Sequence, residues 1–204
     1  MSTGSSGVRN WFDGPVITIA DPDPGWADEF HVIAERLGEA AAGEGILRID
    51  HIGSTSVPDL PAKDVIDIQI TVADDDSLRA VPAALAGWGW RRSAGIARDH
   101  HVTALSADLA EWRKVFLSEP EGERRVNVHV RIRGRANQRY ALLFRDFLRA
   151  HPDAAQAYAL VKKGLAALAP DTDSYADAKD PACDLIYRAA EAWARDKGWT
   201  STGR

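Results

Sequence analysis

Cysteine is nearly absent from this sequence, since Cys183 is the only one among 204 residues. An intrachain disulfide is therefore impossible, and we expect a protein of the reducing cytoplasm in which Cys183 is a structural thiol on an apolar helix. No apolar run approaches the length that spans a membrane. The Ser/Gly-rich start at residues 1–7 lacks the charged and apolar regions of a signal peptide, so we predict a flexible tail over residues 1–14.

A basic excess is missing as well. The chain has 25 Lys and Arg against 30 Asp and Glu, a net charge of −5, so duplex nucleic acid is not an expected partner. It has no GxxxxGK[ST] sequence, which excludes the phosphate-binding loop of a P-loop kinase. The composition, with 45% hydrophobic and 27% charged residues, is typical of one globular domain. We place that domain at residues 15–197, followed by a C-terminal tail at 198–204.

Residue spacing predicts an α+β fold, in which a mixed sheet with flanking helices is followed by a helical C-terminal section. Strands are predicted at 15–19, 46–52, 65–72, 101–105, 115–118 and 125–133. Helices are predicted at 24–41, at 74–87 and in the last third of the chain. The final helix should begin at Asp180 and Pro181 and run to residue 197. Pro82 should kink the second helix or start a new one.

The most specific local signal is a small-residue turn at 53–56, followed by Asp67 in the next predicted strand. Successive amides and hydroxyls in such a turn can hold an anion. Strand alternation places Asp67 and Gln69 on one face of the 65–72 strand. A second polar face lies on the 125–133 strand and carries Asn127, His129 and Arg131. If these strands are neighbours, the two faces form one patch, and the alternative is a pair of half-solvated strands whose outer faces are merely polar.

Two longer strings extend this pattern into a family resemblance. His51-Ile52-Gly53-Ser54-Thr55-Ser56-Val57-Pro58 and then Ala62 to Ile68 resemble the signature of the GrpB-like family, and Leu143 to Pro152 resembles its second signature. The form of 63–67 and of 127–130 is most similar to the version fused to dephospho-CoA kinase in actinobacteria. Similar residues usually occur in the family's helical tail at the positions of Tyr158, Lys162, Tyr175 and Lys179. The resemblance covers about residues 17–194 and implies a nucleotidyltransferase-like fold.

Active nucleotidyltransferases hold a triphosphate on a Gly-Ser turn and two divalent metals on carboxylates spaced two residues apart, with a third carboxylate on a later strand. The resemblance therefore implies catalytic roles for Asp67, Gln69 and His129. It also implies a metal site at Asp67 and His129, for magnesium or manganese and with less support for zinc. Implied ligand contacts are Gly53, Ser54, Thr55, Ser56, Lys63, Arg131 and Arg145. Gln69 replaces the second carboxylate of the pattern, and the later strand has no acid.

Structural alternatives accompany several of these residues. Lys63 is equally well explained as a surface lysine, and Arg145 as an ion-pair anchor of its helix. Arg131 could belong to a solvated edge. Of the adjacent pair His100 and His101, at most one can face a metal or ligand, because neighbours on a strand point to opposite faces.

Two functions are consistent with the sequence. The first is a protein that binds a nucleotide or phosphorylated small molecule, or a nucleotidyltransferase acting on a small molecule or protein. The second is a non-catalytic accessory or interaction module of the same fold, linked to coenzyme A synthesis or to the folding of a protein partner.

Overall fold

The computed structural model describes residues 17–102 and 104–201. Within them the predicted α+β class is confirmed. The helices are α1 (Gly25–Ala40), α2 (Asp75–Ala86), α3 (Ala136–Ala150), α4 (Pro152–Leu168) and α5 (Thr172–Lys197). The strands are β1 (Ile46–Ile52), β2 (Ile66–Val72), β3 (Arg91–Arg92), β4 (Val115–Ser118) and β5 (Val126–Ile132). Short 3₁₀ turns cover Ser54–Ser56 and Leu109–Trp112.

The five strands form one mixed sheet in the order β1-β2-β5-β4-β3. β2 and β5 run parallel with Asp67 opposite Asn127 and Gln69 opposite His129, whereas the other pairs are antiparallel. The two strands with polar faces are therefore neighbours. Because facing residues in register project to the same side of a sheet, Asp67, Asn127 and His129 share one face, as the sequence predicts.

Helices cover both faces of the central strands. On one side Ile66, Ile68 and Ile70 are fully buried in a core with the apolar stripes of α1 and α2, which include Trp26, Leu37, Val81 and Leu85. On the other side Gln69 and Thr71 are also buried, and Gln69 reaches the backbone of α3 at Gln138. The interpretation as half-solvated strands is therefore wrong for β2, which is covered as parallel strands usually are.

α3, α4 and α5 pack around a second apolar core that includes Leu143, Phe147, Tyr158 and Tyr187. Contacts with the rest of the domain continue past α5. The indole nitrogen of Trp199 donates to Asp146 at 2.9 Å, and Arg48 donates to the backbone oxygen of Ser201 at 2.8 Å. None of the helices in the described part of the chain combines the length and the apolar character that crossing a bilayer requires.

Two predicted strands are wrong. Residues 17–19 form none, and only an isolated bridge joins Ala20 to Ala62; residues 15 and 16 lie outside the described residues. The segment 101–105 is a loop as far as it is described, because local bonds replace sheet pairing. His101 contacts the backbone oxygen of Ser106 at 2.8 Å, and Leu105 donates to Val102.

Of the two interior prolines, Pro181 was misplaced, whereas Pro82 lies inside the second helix as predicted. α5 begins at Thr172, nine residues before the predicted first helical residue Pro181, because the Asp171 side chain accepts from the backbone of Ser174 and caps the helix there. Pro181 therefore lies inside α5. Pro82 lies inside a continuous α2 rather than starting a new helix. The roughly 3 kcal/mol that an interior proline costs is offset by burial of the surrounding helix faces.

Candidate functional site

The turn after β1 packs directly against Asp67. Gly53 has φ +69° and ψ −170°, a backbone conformation that is essentially restricted to glycine. A Cβ at this position would lie 2.4 Å from Oδ2 of Asp67 and 2.9 Å from its Cβ. Glycine is therefore needed both for the conformation and for the close approach, and the juxtaposition of turn and carboxylate expected from the sequence is present.

One cavity of about 440 Å³ is lined by the turn after β1, by the carboxylate of Asp67 and by the imidazole of His129. We call it the main cavity. Its walls come from the turn, β2, β5, α3, α4, α5 and the loops around β4. They include Gly53, Ser54, Asp67, Asp99, His100, Lys114, Asn127, His129, Arg131, Asn137, Tyr140, Phe144, Tyr158, Lys179, Asp180 and Cys183. The cavity falls within the size range of small-molecule sites, and it combines aromatic side chains with convergent polar groups.

A smaller pocket of about 70 Å³ adjoins the main cavity and shares Ser54, Asp67, Asn127 and Lys179 with it. We call it the lysine pocket. Its remaining lining residues are Thr55, Ala62, Lys63, Val65, Lys162 and Tyr175. Lys63 Nζ lies 5.3 Å from the centre of the Tyr175 ring. Lys162 Nζ lies 5.0 Å from the Tyr158 ring and donates to the backbone oxygen of Pro61.

In the lysine pocket, the charge of Lys179 disfavours the charged forms of Lys63 and Lys162. Burial, followed by repulsion from Lys179, lowers the pKa of Lys162 to about 7. The same two causes lower the pKa of Lys63. Asp67 is the one carboxylate lining this pocket, so positive charge exceeds negative charge there. An anion in the pocket would favour the charged form of all three lysines.

The surroundings of Asp67 favour its ionised form. Its Oδ1 accepts from Nδ2 of Asn127 at 2.8 Å, and Nε2 of His129 lies 3.8 Å away. Burial opposes ionisation, but the contacts with His129 and Asn127 and the charge of Lys179 outweigh it and lower the pKa of Asp67.

Contacts at the other ring nitrogen fix the tautomer of His129. Nδ1 lies 3.1 Å from Nζ of Lys114 and 3.4 Å from Nη2 of Arg131. Both neighbours are donors without acceptor capacity, so Nδ1 must be the acceptor and the ring proton must be on Nε2, towards Asp67. Burial, then the charges of Lys114 and Arg131, lower the pKa of His129 to about 4. The ring is therefore neutral at pH 7.

This tautomer argues against the expected metal pair of Asp67 and His129. A metal at Nε2 would move the proton to Nδ1, against the ammonium of Lys114. Nor is there a group of three or more His, Cys, Asp or Glu that could hold a metal within residues 17–102 and 104–201. A two-metal centre built on protein carboxylates does not fit these residues.

Gln69 does not belong to the cavity, so a direct catalytic role for it is not supported. It is fully buried beneath the site, where its Oε1 accepts from Nη1 of Arg131 at 2.6 Å. Arg131 is itself only 4% exposed, which corrects the solvated-edge alternative. Its other nitrogens donate to Asp99 at 2.8 and 2.7 Å. Arg131 contributes positive charge to the wall, and its donors are engaged within the protein.

Asp99 organises this wall and was not identified as such from the sequence. It accepts from Arg131, from Lys114 at 2.6 Å and from Asn137 at 3.0 Å. Although burial opposes ionisation, Arg131 and Lys114 hold the pKa of Asp99 well below its usual range. Its neighbour His100 lines the cavity, with its ring nitrogens 3.2 and 3.1 Å from carboxylates of α5.

The other residues predicted to contact a ligand make hydrogen bonds within the protein. Arg145 lies outside both pockets and ties α3 to β1 by donating to the backbone oxygen of His51 at 2.9 Å. The Ser56 hydroxyl donates to the Gly53 oxygen at 2.6 Å and closes the turn. Thr55 lines the lysine pocket, but its hydroxyl donates to Val65 at 3.3 Å. Of the turn residues, Gly53 and Ser54 therefore face the main cavity.

The family model described as GrpB protein matches residues 16–189. A dephospho-CoA kinase of Mycolicibacterium paratuberculosis is 38% identical over an alignment covering 90% of this chain and 48% of that protein. A UPF0157 protein of Pseudomonas aeruginosa is 34% identical, covering 90% and 71%. The crystal structure of the conserved protein GrpB from Enterococcus faecalis matches with a TM-score of 0.68 and 27% identity, covering 86% of this chain and 99% of that one. The chain thus spans about half the length of the dephospho-CoA kinase that it matches.

Proposed function

Because the chain belongs to the GrpB family and its main cavity adjoins a pocket of three lysines, we propose that it binds a phosphorylated small molecule, for which a nucleotide is the best candidate. The observation that carries this proposal is the convergence of Lys63, Lys162 and Lys179 beside Ser54 and Asp67. Lys162 is only 2% exposed, and burial and repulsion from Lys179 lower its pKa; placing such a charge in the interior is costly and is common at functional sites. A phosphate group is the anion that suits three ammonium donors and a hydroxyl.

The main cavity suits the remainder of such a ligand. Tyr140, Phe144 and Tyr158 line one side of it, and Tyr140 stacks on Tyr187 at 4.2 Å between ring centroids, which holds its plane in place. Aromatic faces accept the flat surface of a nucleobase. With the phosphate in the lysine pocket, Ser54 and Asp67 would lie at the junction between phosphate and nucleoside, because both pockets share these residues.

Binding is the part of the nucleotidyltransferase hypothesis that the geometry supports best. Transfer of a nucleotidyl group usually needs paired carboxylates, and here the second position is the buried Gln69. Asp67 alone can still contact a magnesium or manganese ion that the nucleotide carries, since Mg²⁺ is commonly held by one or two carboxylates plus the phosphates of the ligand.

Calorimetry tests this function. ATP, CTP, GTP and UTP are each titrated into the protein in buffer that contains EDTA, Mg²⁺ or Mn²⁺. We expect at least one nucleotide to bind. In EDTA, Asp67→Ala should bind it more tightly, because a negative charge beside the phosphate is removed. If Asp67 contacts the nucleotide's metal, wild type should gain affinity with Mn²⁺ and the variant should not. Absence of heat with all four nucleotides in every condition would remove the proposal.

A second candidate, an accessory or interaction module, is favoured by a separate observation. Large apolar side chains are exposed on the C-terminal helices, with Leu160 at 72%, Leu168 at 83% and Leu185 at 71%. Exposed apolar surface of this kind can mark a protein interface. A protein partner that is captured equally by wild type and Asp67→Ala, and is lost on Leu160→Glu or Leu185→Glu, would support the module.

A further inference from the structure

A third pocket adjoins the lysine pocket. Its volume is about 380 Å³, and we call it the outer pocket. Its polar lining residues are Thr18, Lys63, Asp64, Arg125 and Thr172. Lys63 lines the lysine pocket as well, whereas the outer pocket and the main cavity have no lining residue in common. The three pockets therefore follow one another in the order main cavity, lysine pocket, outer pocket.

The starts of the two central strands bring two basic side chains to the outer pocket. β2 and β5 are parallel neighbours, and the backbone nitrogen of Ile66 donates to the backbone oxygen of Arg125 at 3.2 Å. Because parallel neighbours run in the same direction, they begin at the same edge of the sheet. Lys63 lies shortly before β2 and Arg125 directly before β5, so both lie at this edge. Thr172, the first residue of α5, lines the same pocket, and the start of a helix favours an anion.

The positive charge of the outer pocket is not neutralised by the protein. Arg125 is exposed, and among the described residues its side chain has no hydrogen bond or ion pair. The carboxylate in the lining belongs to Asp64 and is engaged elsewhere, since its Oδ1 accepts from Nε1 of Trp26 at 2.8 Å and from Nη2 of Arg124 at 2.5 Å. The guanidinium of Arg125 is therefore available to an anion that enters the pocket.

Lys63 connects the outer pocket with the lysine pocket electrostatically as well as by position. Burial and then the charge of Lys179 lower the pKa of Lys63. Among the smaller effects, Arg125 also lowers it, whereas Asp67 and Asp173 raise it. The ammonium group is thus influenced by charges of both pockets. A phosphate chain that extends from the lysine pocket into the outer pocket would pass this ammonium group.

We propose that the outer pocket binds the distal phosphates of a nucleoside diphosphate or triphosphate, and that Arg125 determines specificity for the length of the phosphate chain. The inference rests on the proposed function and deepens it, because it selects polyphosphates over monophosphates. With the nucleoside in the main cavity and the first phosphate in the lysine pocket, the order of the pockets leaves the outer pocket for the rest of the chain. The lysine pocket has a volume of about 70 Å³, much less than the 380 Å³ of the outer pocket.

Calorimetry with AMP, ADP and ATP, in buffer that contains EDTA, tests the inference. In wild type, ATP should bind about tenfold or more tightly than AMP, the factor expected from one additional hydrogen bond between charged groups. Arg125→Gln should weaken the binding of ATP by about the same factor and leave that of AMP unchanged. The side chain of Arg125 is exposed, so the variant should fold as wild type does, and its affinity for AMP checks this.

Arg133→Gln is the matched control. Arg133 is exposed and directly follows β5, whereas Arg125 directly precedes it, which places the two roughly 25 Å apart along the strand. Arg133 lines none of the three pockets. The control removes the same charge and should bind AMP and ATP as wild type does. Equal weakening of ATP in the two variants would mean that only net charge matters, and would overturn the inference.

Three further results would overturn the inference and leave phosphate binding intact. They are equal affinity of wild type for AMP and ATP, unchanged ATP affinity in Arg125→Gln, and equal weakening of AMP and ATP in that variant. In the second case, inorganic phosphate that binds to AMP-saturated wild type but not to AMP-saturated Arg125→Gln would assign the outer pocket to a separate phosphorylated molecule. If no nucleotide binds in any condition, the proposed function itself has failed, which is a different outcome.

Discussion

Replacement of Gly53 by alanine tests the contact on which the site is built. Two costs should add. The backbone at φ +69° and ψ −170° costs about 1–3 kcal/mol for any residue with a Cβ. The new methyl would lie 2.4 Å from Oδ2 of Asp67 and 2.9 Å from its Cβ, and relief of such an overlap costs about another 1–3 kcal/mol. Gly53→Ala should therefore reduce the free energy of unfolding by roughly 2–6 kcal/mol.

Gly43→Ala is the matched control. Gly43 also has a positive φ, +85°, but a Cβ there meets nothing within 4 Å, so it should show only the conformational cost. Urea unfolding of both variants isolates the overlap with Asp67, which should make Gly53→Ala more costly by about 1–3 kcal/mol. In the Asp67→Ala background this excess should shrink, because the nearest atom is gone. Equal losses in Gly53→Ala and Gly43→Ala, or an excess that is undiminished in the Asp67→Ala background, would refute the contact.

Three further predictions follow from the charges of the site. Lys162→Met should weaken anion binding roughly 10- to 100-fold, the effect of losing a charged hydrogen bond, and in wild type the affinity should fall as the pH rises through about 7, where Lys162 loses its proton. His51 and His129 are buried with pKa values of about 4. As the pH falls, these two histidines are therefore protonated in the unfolded chain at a higher pH than in the folded protein. The free energy of unfolding should therefore decrease between pH 6.5 and 4, by roughly 3 kcal/mol for each histidine. At pH 7, ¹⁵N NMR should show His129 as the neutral tautomer protonated at Nε2, and Lys114→Met should release that preference.

Each of these three predictions has a control variant or a result that would contradict it. Lys163 lies next to Lys162 on α4 but is half exposed and faces Asp21, so Lys163→Met should leave anion binding unchanged. Equal losses in the two variants would mean that only net charge matters. For acid destabilisation, His51→Gln should flatten the pH profile of the free energy of unfolding, and an unchanged profile would contradict the prediction. A proton on Nδ1 of His129, or Zn²⁺ bound through Nε2, would contradict the tautomer.

Local patterns predicted the sheet well. The strands at 46–52 and 115–118 agree with β1 and β4 residue for residue, because alternation and turn residues at their ends are local properties. The shared face of Asp67 and His129 was also predictable, given the single condition that the two strands are neighbours. The pairs Tyr158–Lys162 and Tyr175–Lys179 carried a further signal. Residues four apart share a helix face, so Lys162 lies on the same side of α4 as Tyr158 of the main cavity, and Lys179 lies on the same side of α5 as Tyr175 of the lysine pocket.

Other features depended on tertiary contacts that no local pattern contains. Gln69 occupies a position of the family pattern, but burial under Arg131 decides its role, and that contact spans 62 positions of the sequence. Asp99 lies in a loop without periodicity, and its partners come from Lys114 just before β4, from β5 and from α3. The start of α5 was predicted at the wrong residue because Pro181 is as good a helix-start signal as Asp171. Tertiary packing favours the longer helix.

A crystal structure of the protein soaked with ATP and Mn²⁺ tests the central claim most directly. The account predicts a phosphate in the lysine pocket, within hydrogen-bond distance of Lys63, Lys162 and Lys179, with the nucleoside in the main cavity. Any manganese seen by anomalous scattering should contact Asp67 and the phosphates, and not Nε2 of His129. A phosphate bound elsewhere on the protein, with only water in the lysine pocket at saturating nucleotide, would contradict the account.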